Sequence, residues 1–307
     1  MQDSLIKLTD VTLRDGLQSE PTGLDTLQKL ALFDSLLECS YHKLEMTSFS
    51  HPKWIPQLSD SDVFCTEVFK RKNRPNTELM AFVPNEKGLE RFLSFPIRWA
   101  SLFTAASGTF HLKNINMPLQ EGISELKKLT TRLSHEKRAV RIYISTVFGC
   151  PYEKDISIEK VSESIKRVVD LGPDEIALSD TLGVASPTQM KKVLEKAITL
   201  FPKEKIAVHL HNTYGMALAN VQAAFEMGIT QFDGSTGGIG GCPYAKGATG
   251  NIASEELAYF FQRQKKDVTV AWNGIEKSIR ILAQNGLSIQ SHLASIFLKG
   301  GAWYGIL

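Results

Sequence analysis

Apolar and polar positions along the chain follow two rhythms. Short runs rich in β-branched, aromatic and aliphatic residues recur from one end to the other: KLTDVTL from Lys7, HKLEMTS from His42, ELMAFV from Glu78, WASLFTA from Trp99, VRIYISTVF from Val140, EIALSD from Glu175, IAVHLH from Ile206 and TQFDGS from Thr230. Between them lie stretches with apolar residues three and four apart, such as LDTLQKLALFDSLLEC, IEKVSESIKRVVDLG, SPTQMKKVLEKAITLF and MALANVQAAFEMG. The first rhythm predicts strands and the second predicts helices. Their repeated alternation implies parallel strands joined by right-handed crossovers.

The strands are not uniformly apolar, because several end in polar or charged residues. Arg14 and Asp15, Glu45, Asp180, His209 and His211, and Asp233 fall at or just beyond their carboxyl ends. An open doubly wound sheet would gather such residues at one switch point. Spread over so many strands, they fit a closed (β/α)8 TIM barrel, whose site is built from the carboxyl ends of all its strands. No low-complexity linker or shift in composition divides the 307 residues, so a single barrel domain is expected over 1–307. Residues from about 268 to 307 read as extra C-terminal helices, packed on the barrel or on a second subunit of a homodimer or larger homo-oligomer. The SFSHPKWIPQLSD loop has two readings, a lid or pocket wall and an ordinary packed surface loop.

Charge and cysteine usage narrow the function. Thirty-five Lys and Arg against thirty-three Asp and Glu give a net charge of +2 without a basic block, so neither nucleic acid nor an anionic membrane is indicated as a partner. No segment reaches the roughly 18 apolar residues that span a bilayer, and the amino terminus lacks a leader pattern, which leads to the expectation of a soluble cytoplasmic protein. Cys39, Cys65, Cys150 and Cys242 are widely separated, with no CxxC pair, so no zinc ribbon or disulfide framework is expected. Cys39 and Cys65 fall within expected helices and read as inert buried thiols.

The candidate chemistry centres on HLH. Side chains alternate along a strand, so His209 and His211 face the same side, and the first, seventh and eighth strands of a closed barrel bring Asp15 near them. Two imidazoles, one carboxylate and the amide oxygen of Asn251 suit Mg²⁺ or Mn²⁺, with zinc as the alternative. Arg14 has two readings, a salt bridge at the rim and a guanidinium that holds an anionic or enolate-like oxygen. Glu45 could be a base, an ion-pair partner inside the barrel, or a partner behind a cation-bound water or histidine; the last is preferred. The segment GGIGGCPYAKGATGN, Gly237 to Asn251, packs six glycines around Cys242, so the backbone can approach a ligand and carry a thiol to it.

Together, TLRDGLQSE, LEMTSFSHPKWIPQLSD, KNIN, VFGCPYE, LSDTLGV, HLHNTYGMALAN and above all GGIGGCPYAKGATGN resemble the 3-hydroxy-3-methylglutaryl-CoA lyases, metal-dependent (β/α)8 enzymes, from about Leu8 to Leu257. RDG and HxH alone are shared with condensing synthases that act on acetyl-CoA. The resemblance implies that Asp15, His209, His211 and Asn251 ligate a divalent cation. It also implies that Arg14 polarises a thioester carbonyl, that Cys242 is the catalytic thiol and that Glu45 is the acidic residue near the metal. His209 and Cys242 are expected to move protons, with Asp15 sharing, and the substrate is expected to be an acyl-CoA thioester. Several positions depart from the family pattern, among them VTLRDG where VGPRDG is typical and the lack of a cysteine after Cys242. Asn212 stands where an aspartate is usual, removing a charge beside the histidines, and Gly108 stands where an acid is common, which bears on the substrate pocket.

Overall fold

All eight runs form strands: β1 (Lys7–Asp10), β2 (Lys43–Ser48), β3 (Glu78–Phe82), β4 (Trp99–Ala105), β5 (Ala139–Ser145), β6 (Glu175–Asp180), β7 (Ile206–Leu210) and β8 (Gln231–Gly234). Each pairs in parallel with its predecessor, and β8 lies in register against β1 from Lys7 to Asp10, which closes the barrel. The computed structural model describes residues 5–71, 77–241 and 250–300. Among them, no helix is long and apolar enough to cross a membrane.

The first strand is shorter than its sequence suggests. It stops at Asp10, and Thr12–Gly16 wind into a single π-helical turn whose start is fixed by Asp10 Oδ1, which accepts the Thr12 N–H at 3.0 Å. Such turns concentrate at functional sites, and this one carries Arg14 and Asp15. β5 also ends early, at Ser145, because Thr146 takes a left-handed φ of 58°.

The helices are α1 (Thr26–Glu38), α2 (Ser61–Lys70), α3 (Glu86–Leu93), α4 (Gly108–Ile115), α5 (Leu119–His135), α6 (Ile158–Val169), α7 (Pro187–Leu200), α8 (Ala217–Glu226), α9 (Ser254–Arg263), α10 (Trp272–Gln284) and α11 (His292–Leu298). Their starts follow local chemistry. Asp25 and Gln28 form a reciprocal capping box on α1, Ser157 caps α6, and Ser186 caps α7 ahead of Pro187. The last two helices lie in the expected C-terminal extension. Gly274 of α10 sits so close to the end of α1 that a Cβ there would come within 2.5 Å of the Cys39 nitrogen.

Alternation along the strands sorts the interior into two different cores. Leu8, Leu44, Ile142, Ile176, Val208 and Phe232 point outward into the apolar layer beneath the helices. Their neighbours point inward, where among the described residues Tyr143, Ala177 and Ala207 form a small apolar cluster. Much of the remainder is polar or charged. Lys43 Nζ meets Glu175 at 2.5 Å, Arg141 meets Glu175 at 3.2 Å, and Arg141 donates to both oxygens of Asp233 at 2.6 Å. Branched aliphatic side chains usually fill this space. Here, matched charges fill it and form the floor of the site.

Removing one member leaves its partner buried and uncompensated. Glu175→Leu strands Lys43, whose ammonium otherwise has, among the described residues, the face of Trp99 at 4.1 Å. The variant is expected to lose about 3–5 kcal/mol of stability in urea unfolding, and a loss below about 1 kcal/mol would show that the lattice contributes little.

Candidate metal centre and its surroundings

The sequence-predicted ligands converge where β1, β7 and β8 meet. Asp15, on the π-helical turn after β1, places Oδ2 at 3.8 Å from Nε2 of His209 and 3.8 Å from Nε2 of His211. These separations are too long for hydrogen bonds. The three ligand atoms nonetheless lie within 4.8 Å of one another, the spacing of donors arranged about one ion. His209 is the inward residue near the end of β7. His211 lies just past the strand, in a bridge to Asn251, and its N–H donates to the Asp180 carbonyl at 3.2 Å.

Asn251 completes the set. Its Nδ2 donates to Asp15 Oδ2 at 2.9 Å, while its buried Oδ1 has no hydrogen-bond partner among the described residues. The amide oxygen, the atom a hard cation would need, is thus the one left unsatisfied. Burial works to raise the Asp15 pKa, but Arg14, the two imidazoles and the Asn251 amide together hold the carboxyl far below the ordinary range. A carboxylate held this firmly as an anion is a good ligand and a poor proton acceptor. The donor set therefore fits a divalent cation of oxygen and nitrogen preference.

Arg14 stands beside this cluster. Its Nη1 donates to Asp15 Oδ1 at 2.5 Å and its Nε to Glu45 Oε2 at 2.6 Å, and its guanidinium lies 5.4 Å from the ring centre of Phe82 and 5.2 Å from that of Tyr143. Burial opposes the charge on Arg14, but the negative charges of Glu45 and Asp15 outweigh it and hold the guanidinium protonated. The Glu45 carboxylate receives Arg14, Ser101 Oγ and, at 3.2 Å, the Tyr143 hydroxyl. A β-bulge follows it, where the β2–β3 register shifts between Glu45 and Thr47.

Asn212 and Gly108 also acquire a place. Asn212 Oδ1 accepts the Ala217 N–H at 3.2 Å, so this side chain ties down the first turn of α8. Gly108 opens α4 with nothing within 4 Å of a would-be Cβ, and the adjoining Ser107 Oγ and Thr109 N–H both donate to Glu153. An acid thus does serve the start of α4, from a different loop. Cys242 lies outside the described residues. Burial pushes the thiols of Cys39 and Cys65 upward, in keeping with inert packing.

Sequence reasoning missed the part played by Asp233 and Arg141. Asp233 was visible as a polar strand end, but its bond to His209 Nδ1 at 3.1 Å was not. The only available signal for Arg141 was a charge in the middle of the apolar run VRIYIS.

The described ends of the glycine-rich segment are held by buried acids. Gly240 has φ 110°, and a Cβ on it would lie 2.9 Å from Asn251 Nδ2 and 3.2 Å from the Asp15 carbonyl oxygen. At Gly250 a Cβ would come within 2.1 Å of the Gly238 carbonyl oxygen, so only glycine permits the two arms to approach. Beneath them Glu255 accepts the Gly237 N–H with both oxygens at 3.1 Å, and Glu20 accepts the Gly240 N–H at 3.2 Å.

A closed barrel with its polar cluster at the carboxyl ends of the strands defines the class: a (β/α)8 enzyme scaffold with a metal-competent centre at Asp15, His209 and His211. The chain belongs to the HMGL-like family, whose model matches residues 5–281. It is 42% identical over 258 residues to the hydroxymethylglutaryl-CoA lyase YngG of Bacillus subtilis strain 168, covering 84% of this chain and 85% of that one. Human mitochondrial hydroxymethylglutaryl-CoA lyase is 40% identical over 258 residues, 84% of this chain and 78% of that protein. Among solved structures, an HMG-CoA lyase from Acinetobacter baumannii in complex with coenzyme A and 3-methylmalate superposes with a TM-score of 0.90 at 32% identity, covering 96% of each chain.

Burial pushes the Glu255 carboxyl up to about 7. Its folded pKa exceeds its unfolded value, so the native state binds more protons between about pH 4.5 and 7, and stability falls as pH rises through that window. Glu255→Gln should remove about 3 kcal/mol of this decline, as read by urea unfolding at pH 5 and pH 8. Parallel pH profiles for the two proteins would show that the group is not held protonated.

Proposed function

We propose that this protein cleaves 3-hydroxy-3-methylglutaryl-CoA to acetyl-CoA and acetoacetate with a divalent cation, Mg²⁺ or Mn²⁺. The observation that carries the reading is the juxtaposition on one π-helical turn of Asp15, facing two imidazoles, and Arg14, braced by Glu45. Kinship to hydroxymethylglutaryl-CoA lyases, one of them in complex with coenzyme A, supports the substrate class.

The reaction takes a proton from the tertiary hydroxyl, breaks the C2–C3 bond and leaves the electron pair on the thioester fragment as an enolate. That fragment takes a proton at C2, so no outside oxidant or reductant is required. Asp15, His209, His211 and Asn251 would hold the cation, which supplies Lewis acidity to the substrate hydroxyl. Arg14 offers fixed N–H donors to the enolate oxygen, where charge develops, and Glu45 and Tyr143 keep the guanidinium from turning away. Asp15 is a ligand in this scheme. Proton transfer falls to Cys242, the thiol named by the resemblance; His209, like Asp15, is a ligand here.

Supplied with Mg²⁺ or Mn²⁺, the protein should release acetyl-CoA and acetoacetate from 3-hydroxy-3-methylglutaryl-CoA, lose activity in a chelator and regain it when the cation is restored. Arg14→Met should lower kcat by about 10²- to 10³-fold with little change in KM. Cys242→Ala should remove most turnover while leaving cation binding intact. Turnover of other 3-hydroxyacyl thioesters without the methylglutaryl one would reassign the substrate, and activity undiminished by the chelator would remove the cation.

A further inference from the structure

We propose that Asp233, pinned by Arg141, is a positioning residue that fixes His209 in the tautomer whose Nε2 lone pair faces Asp15. This inference rests on the reading of His209 as a site residue and extends it to side chains buried beneath the site. His209 Nδ1 lies 3.1 Å from Asp233 Oδ2, and its Nε2 lies 3.8 Å from Asp15 Oδ2, so the two ring nitrogens face separate carboxylates. Asp233 is 1% exposed and Arg141 is fully buried, and Arg141 Nη2 donates to both Asp233 oxygens at 2.6 Å. Arg141 is itself held by Glu175 at 3.2 Å and Thr9 Oγ1 at 3.3 Å, and its guanidinium lies 4.8 Å from the ring centre of Tyr143. Tyr143 meets the His209 ring edge-on at 5.5 Å. The imidazole therefore has a fixed plane as well as a fixed partner.

The donor and acceptor inventory dictates the proton's position. A carboxylate only accepts, so Nδ1 of a neutral His209 must carry the hydrogen, leaving the lone pair on Nε2. Arginine only donates, which fixes how a replacement side chain can sit. In Asp233→Asn the amide oxygen stays with Arg141 and the amide nitrogen turns toward His209. Nδ1 must then accept, the ring hydrogen moves to Nε2, and the lone pair facing Asp15 is lost. The same logic explains why an Asp-to-Asn change behind a catalytic histidine produces the wrong tautomer in serine proteases. Alanine imposes no such inversion, because it leaves Nδ1 without a directing partner. The isosteric asparagine is thus expected to be more harmful to cation binding than the truncating alanine.

The first test uses metal-free protein with ¹⁵N-labelled histidine at pH 8.5, in long-range ¹H–¹⁵N correlation spectra. Wild-type His209 should show the hydrogen on Nδ1, and Asp233→Asn should show it on Nε2. Mn²⁺ binding followed by electron paramagnetic resonance should weaken by about 100-fold in Asp233→Asn and by about tenfold in Asp233→Ala. A wild-type ring protonated on Nε2, or an asparagine variant that binds Mn²⁺ as well as the alanine variant does, overturns the proposal. If the alanine variant does not fold, the wild-type and asparagine spectra decide the matter. A wild type with the expected tautomer and Mn²⁺ affinity that cleaves no thioester would overturn the proposed activity and leave this assignment standing.

Discussion

The two-oxygen contact between Arg141 and Asp233 is the constraint on which the rest of the centre depends. It joins β5 to β8 across the inside of the barrel, with both partners out of reach of solvent. A buried ion pair adds little net stability over an apolar filling of the same shape, because desolvation offsets most of its attraction. Its value here is directional. An aliphatic interior could close the barrel equally well, but it could not present an acceptor to His209 at a set angle. Through Glu175 the same contact reaches Lys43 on β2, so four strands share one lattice of charge below the site.

Above that floor, charges are arranged in alternating sign. Glu45 faces Arg14, Arg14 faces Asp15, and Asp15 faces the two imidazoles. Arg14 and Asp15 are each stabilised in the charged form by their neighbours, which lets a carboxylate and a guanidinium remain ionised in a setting that is largely dry. The arrangement sends the Asp15 carboxylate toward the imidazoles and the Arg14 guanidinium toward Glu45, although the two residues are adjacent. The π-helical turn makes this possible, since neighbours on a regular strand would point to opposite faces.

Most of the architecture was legible in the sequence because it rests on short-range signals. The runs around Ile142, Ile176 and Val208 announce strands buried on both faces, and Asp25, Ser157 and Ser186 announce helix starts. The HLH pair and Asp15 were legible for the same reason, once the barrel fixed which strands are neighbours. What was not legible is which partner a buried charge chooses. Glu45 meets Arg14, 31 positions away, and Arg141 meets Asp233, 92 positions away, and no local pattern encodes either choice. Asn212 illustrates the converse: what reads as a missing charge near the histidines is a side chain engaged with the first turn of α8.

The seam between β1 and β8 has a consequence for how the molecule is made. Asp15 emerges early from the ribosome, whereas Asn251, its amide partner, follows 236 residues later. The contact between them cannot form until the last strand docks beside the first, and contacts so distant along the chain form slowly. The polar cluster is thereby assembled only when the ring of strands is complete, so a nascent or truncated polypeptide lacks it.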